Sequence, residues 1–124
     1  MRPKDKIGQD ISVGDYIAYG HALGRSAGIR IGKVLQIKGE IHTNLRNKEE
    51  TRWRIHVWGV DDDYFPNRDL QILTHKGVLE YPTRIVRLDI EQVPSAYVEL
   101  LKDVTMDTKY HKRVYKWHDT SVDE

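Results

Sequence analysis

The stretch that decides the fold covers residues 14–37 and reads GDYIAYGHALGRSAGIRIGKVLQI. Its first part alternates, with Ile17 and Tyr19 on one side and Tyr16 and Ala18 on the other. Alternation with a period of two is typical of a half-buried β-strand. The stretch therefore begins with a short first strand.

The rest of this stretch predicts a loop and a second strand. Residues 21–28 contain glycines and a serine, which permit positive φ angles or local side-chain hydrogen bonds, so they indicate a loop. Residues 29–39 return to apolar and β-branched side chains, but the phase changes between Ile31 and Val34. A change of phase predicts that the second strand is bent or bulged.

More strands follow. Residues 51–60, TRWRIHVWGV, alternate most clearly and predict a third strand after a polar surface connection over residues 40–50. We expect a turn at the three aspartates of residues 61–63, because a turn-rich segment follows them. The remaining β elements are predicted as a fourth strand at residues 70–73, a turn at Lys76 and Gly77, and extended pieces at residues 78–81 and 84–88.

The sequence predicts one helix, near residues 94–103. Pro94 fits a first helical turn, where its missing N–H costs nothing. Apolar side chains then recur at helical spacing, which predicts that one stripe of the helix packs on the strands. The stripe consists of Tyr97, Leu100, Leu101 and Val104.

Length and composition indicate one water-soluble domain. A chain of 124 residues has room for one core. It is 31% charged, and no apolar run approaches the roughly 20 residues that span a bilayer. With no cysteine and no secretory pattern at the N-terminus, the chain is expected in a reducing cytosol, without disulfides or thiolate metal sites.

The sequence contains no recognisable catalytic or cofactor motif. Its histidines are scattered, and residues 61–63 are not followed by a glycine-centred calcium loop with a terminal glutamate. Residues 20–28 lack the Gly-Lys-Ser/Thr ending of a phosphate-binding loop, and Ser26 lacks the glycine spacing of a nucleophile elbow. We therefore expect a non-catalytic protein with no metal and no cofactor.

The third strand contains the strongest candidate for a binding surface. If Trp53, Ile55 and Val57 face the core, the alternate side chains face outward and offer cationic groups with a ring for base stacking. These candidates are Arg54, His56 and Trp58, joined by Arg25, Arg30 and Lys33 from the preceding segment. A second basic and aromatic set lies near the C-terminus, in Lys112, Arg113, Tyr115, Lys116 and Trp117.

Two alternatives remain open for these residues. Trp58 can instead pack beneath the C-terminal segment, and Tyr110, Val114 and Trp117 have the spacing of a short docked helix. The same rings and arginines also suit a protein partner, since Trp, Tyr and Arg dominate interface hot spots. A net charge of +1 argues against coating nucleic acid by bulk charge.

The opening stretch resembles a KOW-type motif in a small SH3-like barrel. The matching positions are Gly14, Asp15, Ile17, Tyr19, Gly32, Val34 and Ile37, and the resemblance covers roughly residues 11–74. It implies association with nucleic acid or with a transcription or translation complex. The compact, cysteine-free chain also resembles small accessory proteins of tailed bacteriophages, which implies a host protein as the alternative partner, in the host cytoplasm.

Together these observations predict a mostly-β protein, an SH3-like five-stranded small barrel with a C-terminal helix and a basic aromatic tail. We expect an N-terminal tail at residues 1–10, the barrel with its closing helix at residues 11–104, and the extension at residues 105–124. The predicted function is non-catalytic binding of nucleic acid or of a nucleic-acid-bound complex, and the alternative is a protein interaction module.

Overall fold

A computed structural model of the chain describes residues 1–23, 26–64, 70–109 and 113–116. Side chains are described for these residues except 22–23, 26–27, 62–64, 70–71 and 113–116. This part of the chain is mostly β, with one α-helix. The elements are β1 (Tyr16–Leu23), β2 (Ser26–Thr43), β3 (Glu49–Tyr64), β4 (Leu70–Leu79), β5 (Ile85–Leu88), α1 (Ser95–Leu101) and β6 (Arg113–Lys116), with 3-10 helices at Pro82–Arg84 and Ile90–Gln92.

The strands form one open antiparallel sheet in the order β5-β1-β2-β3-β4-β6. Among the described residues, no ladder joins β5 to β4 or β6. The predicted barrel is therefore wrong in closure: β1 to β5 form an open sheet, which β6 extends beside β4. The 3-10 helix Pro82–Arg84 separates β4 from β5, so β5 pairs with β1 while β4 pairs with β3 and β6.

Two hydrophobic clusters stabilise the sheet, one on each face. The inner face is defined by Ile11, Ile17, Tyr19, Val34, Ile55, Val57 and Ile85, all buried. The outer face is covered by α1 and defined by Trp58, Val60, Ile72, Leu101 and Val104, also buried. The predicted helix is confirmed: Leu101 and Val104 of its stripe are buried, and Tyr97 and Leu100 pack against the same cluster.

The second strand is bulged, as predicted, but the bulge lies beyond the phase change from which it was inferred, because the register is regular from Ile31 to Val34. The register of β2 against β3 shifts between Val34 and Gln36, so Leu35 is the extra residue. A bulge reverses which alternate side chains point to each face. Arg30 and Val34 therefore lie on the inner face before the bulge, whereas Lys38 lies on the outer face after it.

Several predicted loops are strands instead. Residues 21–23 and 26–28 pair with each other, residues 40–43 pair with 49–52, and residues 61–64 pair with 70–73. Gly77 lies within β4 and pairs with Val57, so the predicted turn at Lys76 and Gly77 is wrong. Backbone hydrogen bonds sustain these ladders where the side chains are polar.

The Gly14-Asp15 pair forms the tight turn that starts β1. Gly14 has a φ of 94°, which favours glycine. Its amide donates to the Val34 carbonyl at 2.8 Å, and the Val34 amide donates to the Asp15 carbonyl at 2.9 Å. The Asp15 carboxylate accepts from the Ser12 amide at 2.7 Å. The pair therefore fixes where β1 enters the sheet.

Residues 4–10, which we expected in an N-terminal tail, pack against β5. Asp5 is 3% exposed, and its carboxylate accepts hydrogen bonds from the amides of Ile7, Gln9 and Arg87 and from the Gln9 side chain. Burial alone would raise the pKa of Asp5, but these hydrogen bonds lower it below its ordinary value. Asp5 thus fixes the segment on the outer edge of β5.

Within the described part, no helix has the length and apolar character needed to cross a membrane.

Candidate nucleic-acid interface

The β2–β3 hairpin extends beyond the rest of the sheet as a two-stranded arm. We define the arm as residues 36–54. The ladder of β1 with β2 ends at the pair Tyr16–Lys33, and the ladder of β4 with β3 ends at the pair Leu79–Ile55. Within the described residues, the strands of the arm therefore pair only with each other. At about 3.4 Å per residue, the eight residues 36–43 make it about 27 Å long.

The outer side of the arm carries more cations than carboxylates. Lys38 pairs with Arg54, Glu40 with Arg52, and Gln36 with His56, so these side chains share one face. Lys76 of β4 continues the same face beside Trp58. We call this set the cationic strip, which consists of Lys38, Arg52, Arg54, His56 and Lys76. Its lysines and arginines are exposed, and His56 is half-buried.

The positive charges of the strip are largely unneutralised. Among the side chains that the structure describes, no carboxylate lies within 4.0 Å of the charged nitrogens of Lys38, Arg52 or Arg54. The Glu50 carboxylate on the same face is engaged by the Asn44 Nδ2 at 2.6 Å and lies 3.7 Å from the His42 Nε2. Lys38 and Arg54 are therefore free of ion pairs with described side chains, whereas Arg52 lies directly opposite the exposed Glu40 in the ladder.

Burial and the positive charges of the strip lower the pKa of His56. Burial lowers its pKa below the ordinary histidine value, and the positive charges of Arg54, Lys38 and Lys76 lower it further. Cations from three strands thus act on one imidazole. An anionic ligand on the strip would oppose this effect.

Trp58 is not the exposed stacking ring that the sequence predicted. Its position in the alternation places it on the same face as Arg54 and His56, but it is 1% exposed. It packs beneath α1 with Leu101 and Val104. Trp58 is therefore buried, as the alternative expected, but beneath α1 and not beneath the C-terminal segment. The prediction failed because a helix covers the outer face at the base of the arm.

The predicted candidate Lys33 and the strip residue Lys76 are both held in structural contacts. The Lys33 Nζ donates to the Lys102 carbonyl at 3.5 Å, near the C-terminal end of α1. Lys76 does the same at the other side of Trp58, donating to the Met106 carbonyl at 3.0 Å. These lysines bridge the sheet to the segment that follows the helix. We therefore assign Lys33 a mainly structural role.

Arg30 lies on the inner face and does not join Arg54. Its Nε is 3.3 Å from the Asp61 Oδ2, and the His21 Nε2 is 3.5 Å from the same oxygen. Tyr19 lies beside them, and its pKa is raised to about 12, first by burial and also by the negative charge of Asp61 against the opposing effect of Arg30. Asp61 is thus part of a polar cluster in the sheet, and its predicted place in a turn is wrong.

The remaining predicted site residues lie at or beyond the limits of the described chain. Arg25, Lys112 and Trp117 are outside the described residues. Arg113, Tyr115 and Lys116 lie in β6, which pairs with β4. A strand over residues 113–116 excludes the docked helix that the spacing of Tyr110, Val114 and Trp117 had suggested there.

The sequence-based candidates did not include Lys38, Arg52 and Lys76. We had assigned residues 40–50 to a connection and Lys76 to a turn, so their positions relative to the sheet were not predicted. Arg52 and Arg54 have the same parity in the TRWRIHVWGV segment, which was the available indication of a shared face. Lys38 faces the same way because of the bulge at Leu35.

The inner side of the arm is apolar. Ile37, Ile41 and Trp53 share this side, and Ile41 is 70% exposed. Together with residues 1–3 and 11–13, they line an open groove of about 650 Å³. The arm therefore has one cationic and one apolar side.

In the described part of the chain, no three histidine or carboxylate side chains are grouped as metal ligands.

Part of the chain is similar to a known protein family. Residues 3–56, less than half of the chain, are similar to a family described as a domain of unknown function (DUF7205). The match includes the N-terminal segment, β1, β2 and the whole arm. No curated protein and no solved structure matches the chain.

Proposed function

We propose that this chain is a non-catalytic binding protein that associates with nucleic acid through the cationic strip of its arm. The observation that carries the proposal is the cluster of Lys38, Arg52 and Arg54 on one exposed face, with no described carboxylate in ion-pair contact. Phosphate oxygens are the natural ligands of such a cluster, since guanidinium groups bind them in pairs.

The charge distribution supports local contact rather than coating. The net charge is only +1, so long-range attraction of the whole protein for a polyanion is weak. A strip of free cations nevertheless gains affinity by releasing the counterions condensed on nucleic acid. We therefore expect moderate binding that weakens steeply with added salt.

The topology supports an SH3-like origin for the sheet. Strands β1 to β4 form a meander, and β5 returns beside β1 after a 3-10 helix. That arrangement, together with the Gly14-Asp15 turn, is similar to small SH3-like barrels of the KOW type. The proposed setting is accordingly a transcription or translation complex in the cytoplasm.

A second candidate function rests on the apolar side of the arm. Ile41 and Val13 are exposed beside the half-buried Trp53, in the groove described above. Exposed apolar surface of this kind often marks a protein contact. The alternative is thus a protein interaction module, such as a phage factor that binds and inhibits a host protein.

The test is a fluorescence-anisotropy titration of labelled single-stranded DNA, duplex DNA and RNA. The Lys38→Gln/Arg54→Gln variant removes two charges from the strip. The Lys4→Gln/Arg84→Gln variant removes two charges outside the arm and is the matched control. Lys4 pairs with Asp10, and Arg84 lies over the Tyr81 ring. We expect the strip variant to lose at least about tenfold in affinity and the control to lose little.

Equal losses in the two variants would show that only net charge matters and would overturn the assignment to the strip. No binding of the parent protein to any of the three nucleic acids would overturn the proposal itself. In that case Ile41→Ser, tested against a host protein recovered after nuclease treatment, becomes the discriminating variant for the second candidate.

A further inference from the structure

The edge of β2 that faces away from β3 is open along the arm. Val34, on the side of β1, bonds to Gly14 and Asp15. Beyond it, the described residues provide no strand beside residues 36–43 on that edge. Residues 38–41 are exposed there. An open strand edge presents backbone N–H and C=O groups that can pair with a further strand.

The sequence along this edge is complementary to itself. If two copies pair in antiparallel orientation about Gly39, each residue lies opposite the one equally far beyond Gly39 in the second copy. Lys38 then lies opposite Glu40 of the second copy on the outer side. Ile37 lies opposite Ile41 of the second copy on the inner side. Two-fold symmetry forms each pair twice, and opposite-charge and apolar cross-strand pairs both stabilise a sheet.

Neighbouring registers lack this complementarity. Centring the pair one residue earlier places Lys38 opposite its own copy, and centring it one residue later places Glu40 opposite its own copy. A lysine on an edge strand usually discourages pairing, but Glu40 supplies the opposite charge in the register about Gly39. This register is therefore the one that joins both charges and both isoleucines of the edge.

The inner side of the arm favours the same pairing. The Trp53 ring lies over Gly39, so a Cβ built on that glycine would be 2.8 Å from the ring. In the two-fold pair, the Trp53 rings of both copies flank the two glycines, and the open grooves of about 650 Å³ become neighbours. Ile41, which is 70% exposed, gains an apolar partner. The second copy therefore covers apolar surface that the single chain leaves exposed.

We propose that two copies of this chain associate through antiparallel pairing of residues 36–42 of β2, with a two-fold axis at Gly39. The two arms then form one four-stranded ribbon. The ladder ends at residue 36 because Val34 is already bonded to the turn that starts β1. An interface of about seven residues per copy is small, so association depends on protein concentration. The inference stands without nucleic-acid binding, although it brings two cationic strips to one side of the ribbon.

The experiment is sedimentation velocity of the full chain over a range of concentrations, without nucleic acid. The parent should change from one copy to two as its concentration rises. Lys38→Glu and Glu40→Lys each place like charges opposite each other at two positions of the pair. Each variant alone should therefore raise the dissociation constant of the dimer at least about tenfold.

Charge reversal in both directions tests the register. An equimolar mixture of Lys38→Glu and Glu40→Lys should regain the association of the parent, because each opposing pair then again holds one cation and one carboxylate. The double variant Lys38→Glu/Glu40→Lys should regain it for the same reason. Lys6→Glu and Glu91→Lys are the matched controls, since they make the same charge changes at exposed positions outside the arm. Both should associate as the parent does.

Three results would overturn the inference. A parent chain that sediments as one copy at every concentration would show that the edge does not bind a second copy. Association that the single reversals leave unchanged, with both variants folded by circular dichroism, would place the dimer contact elsewhere. A mixture and a double variant that both remain single copies would exclude the register about Gly39.

Discussion

Lys38 and Arg54 lie directly opposite each other in the β2–β3 ladder, on the same exposed face of the arm. Like charges at opposite positions of an antiparallel pair destabilise the pairing. No described carboxylate neutralises either charge at ion-pair distance. The free protein therefore tolerates a repulsion that a bound phosphate would relieve.

Replacing Lys38 with glutamate should separate stability from binding. Lys38→Glu converts the opposing cations into an ion pair with Arg54, so the free energy of unfolding should stay the same or rise by up to about 1 kcal/mol. Nucleic-acid binding should fall at least tenfold, because one contact is lost and a repulsive charge replaces it. Urea unfolding and anisotropy titration measure the two effects.

Lys38→Gln is the control for charge loss without a new ion pair, and it should fall between the parent and Lys38→Glu in both measurements. A Lys38→Glu variant that unfolds more easily than the parent would show that the like-charge contact does not destabilise the arm. Retained binding would place the nucleic-acid contact elsewhere.

A glycine on the inner face should be intolerant of any side chain. A Cβ added at Gly59 would lie 1.9 Å from the Tyr19 hydroxyl. Tyr19 is buried and cannot move aside freely. We expect Gly59→Ala to lower the free energy of unfolding by about 1–3 kcal/mol, measured by urea unfolding.

Gly77→Ala is the matched control, since a Cβ there meets no atom within 4 Å. It should change stability by no more than about 0.5 kcal/mol. Tyr19→Phe removes the clashing hydroxyl and should recover part of the loss in the Gly59→Ala background. A purely additive double-mutant cycle would contradict the contact between Gly59 and Tyr19.

The Asp5 carboxylate should make the fold acid-sensitive. Because hydrogen bonds lower its pKa in the folded state below the ordinary value of 3.8, its contribution is complete above that pH. The contribution is lost as the pH falls through the folded-state pKa. At neutral pH, Asp5→Ala should lower the free energy of unfolding by about 1–2 kcal/mol, since it leaves several part-buried donors without their acceptor.

The stability difference between the parent and Asp5→Ala should shrink as the pH is lowered below about 4. Asp103→Asn changes an exposed aspartate and should alter stability by less than about 0.5 kcal/mol at neutral pH. A difference between the parent and Asp5→Ala that stays constant down to pH 2 would show that the charge of Asp5 does not stabilise the fold.

Side-chain pattern predicted the parts of the fold that are half-buried. The alternation around Ile17 and Tyr19 and the helical stripe ending at Val104 arise because one side of each element faces a core. The phase change before Val34 has another cause: Ile31 and Val34 lie on opposite faces of the sheet, and each face carries a hydrophobic cluster. The arm was missed for the opposite reason. Its ladder is made by backbone groups, and its outer side chains, including Glu40 and Arg52, are solvated.

The site was predicted only in part because Trp58 lies where the outer face is covered by α1, whereas Arg54 lies where the same face is exposed to solvent. Arg54 and His56 were correctly placed on one side of the third strand, but alternation alone cannot tell a solvated face from one that a helix covers. The partner of Arg54 across the sheet, Lys38, depended on a long-range register. That register follows from tertiary pairing and not from local pattern.

The most direct test of the account is the salt dependence of duplex DNA binding, measured as the slope of log K against log salt concentration. Each phosphate contact on duplex DNA contributes about 0.9 to this slope. The account predicts that Lys38→Gln/Arg54→Gln reduces the slope by about 1.8 while Lys4→Gln/Arg84→Gln leaves it unchanged. Identical slopes for the parent and the strip variant, with both proteins folded, would contradict it.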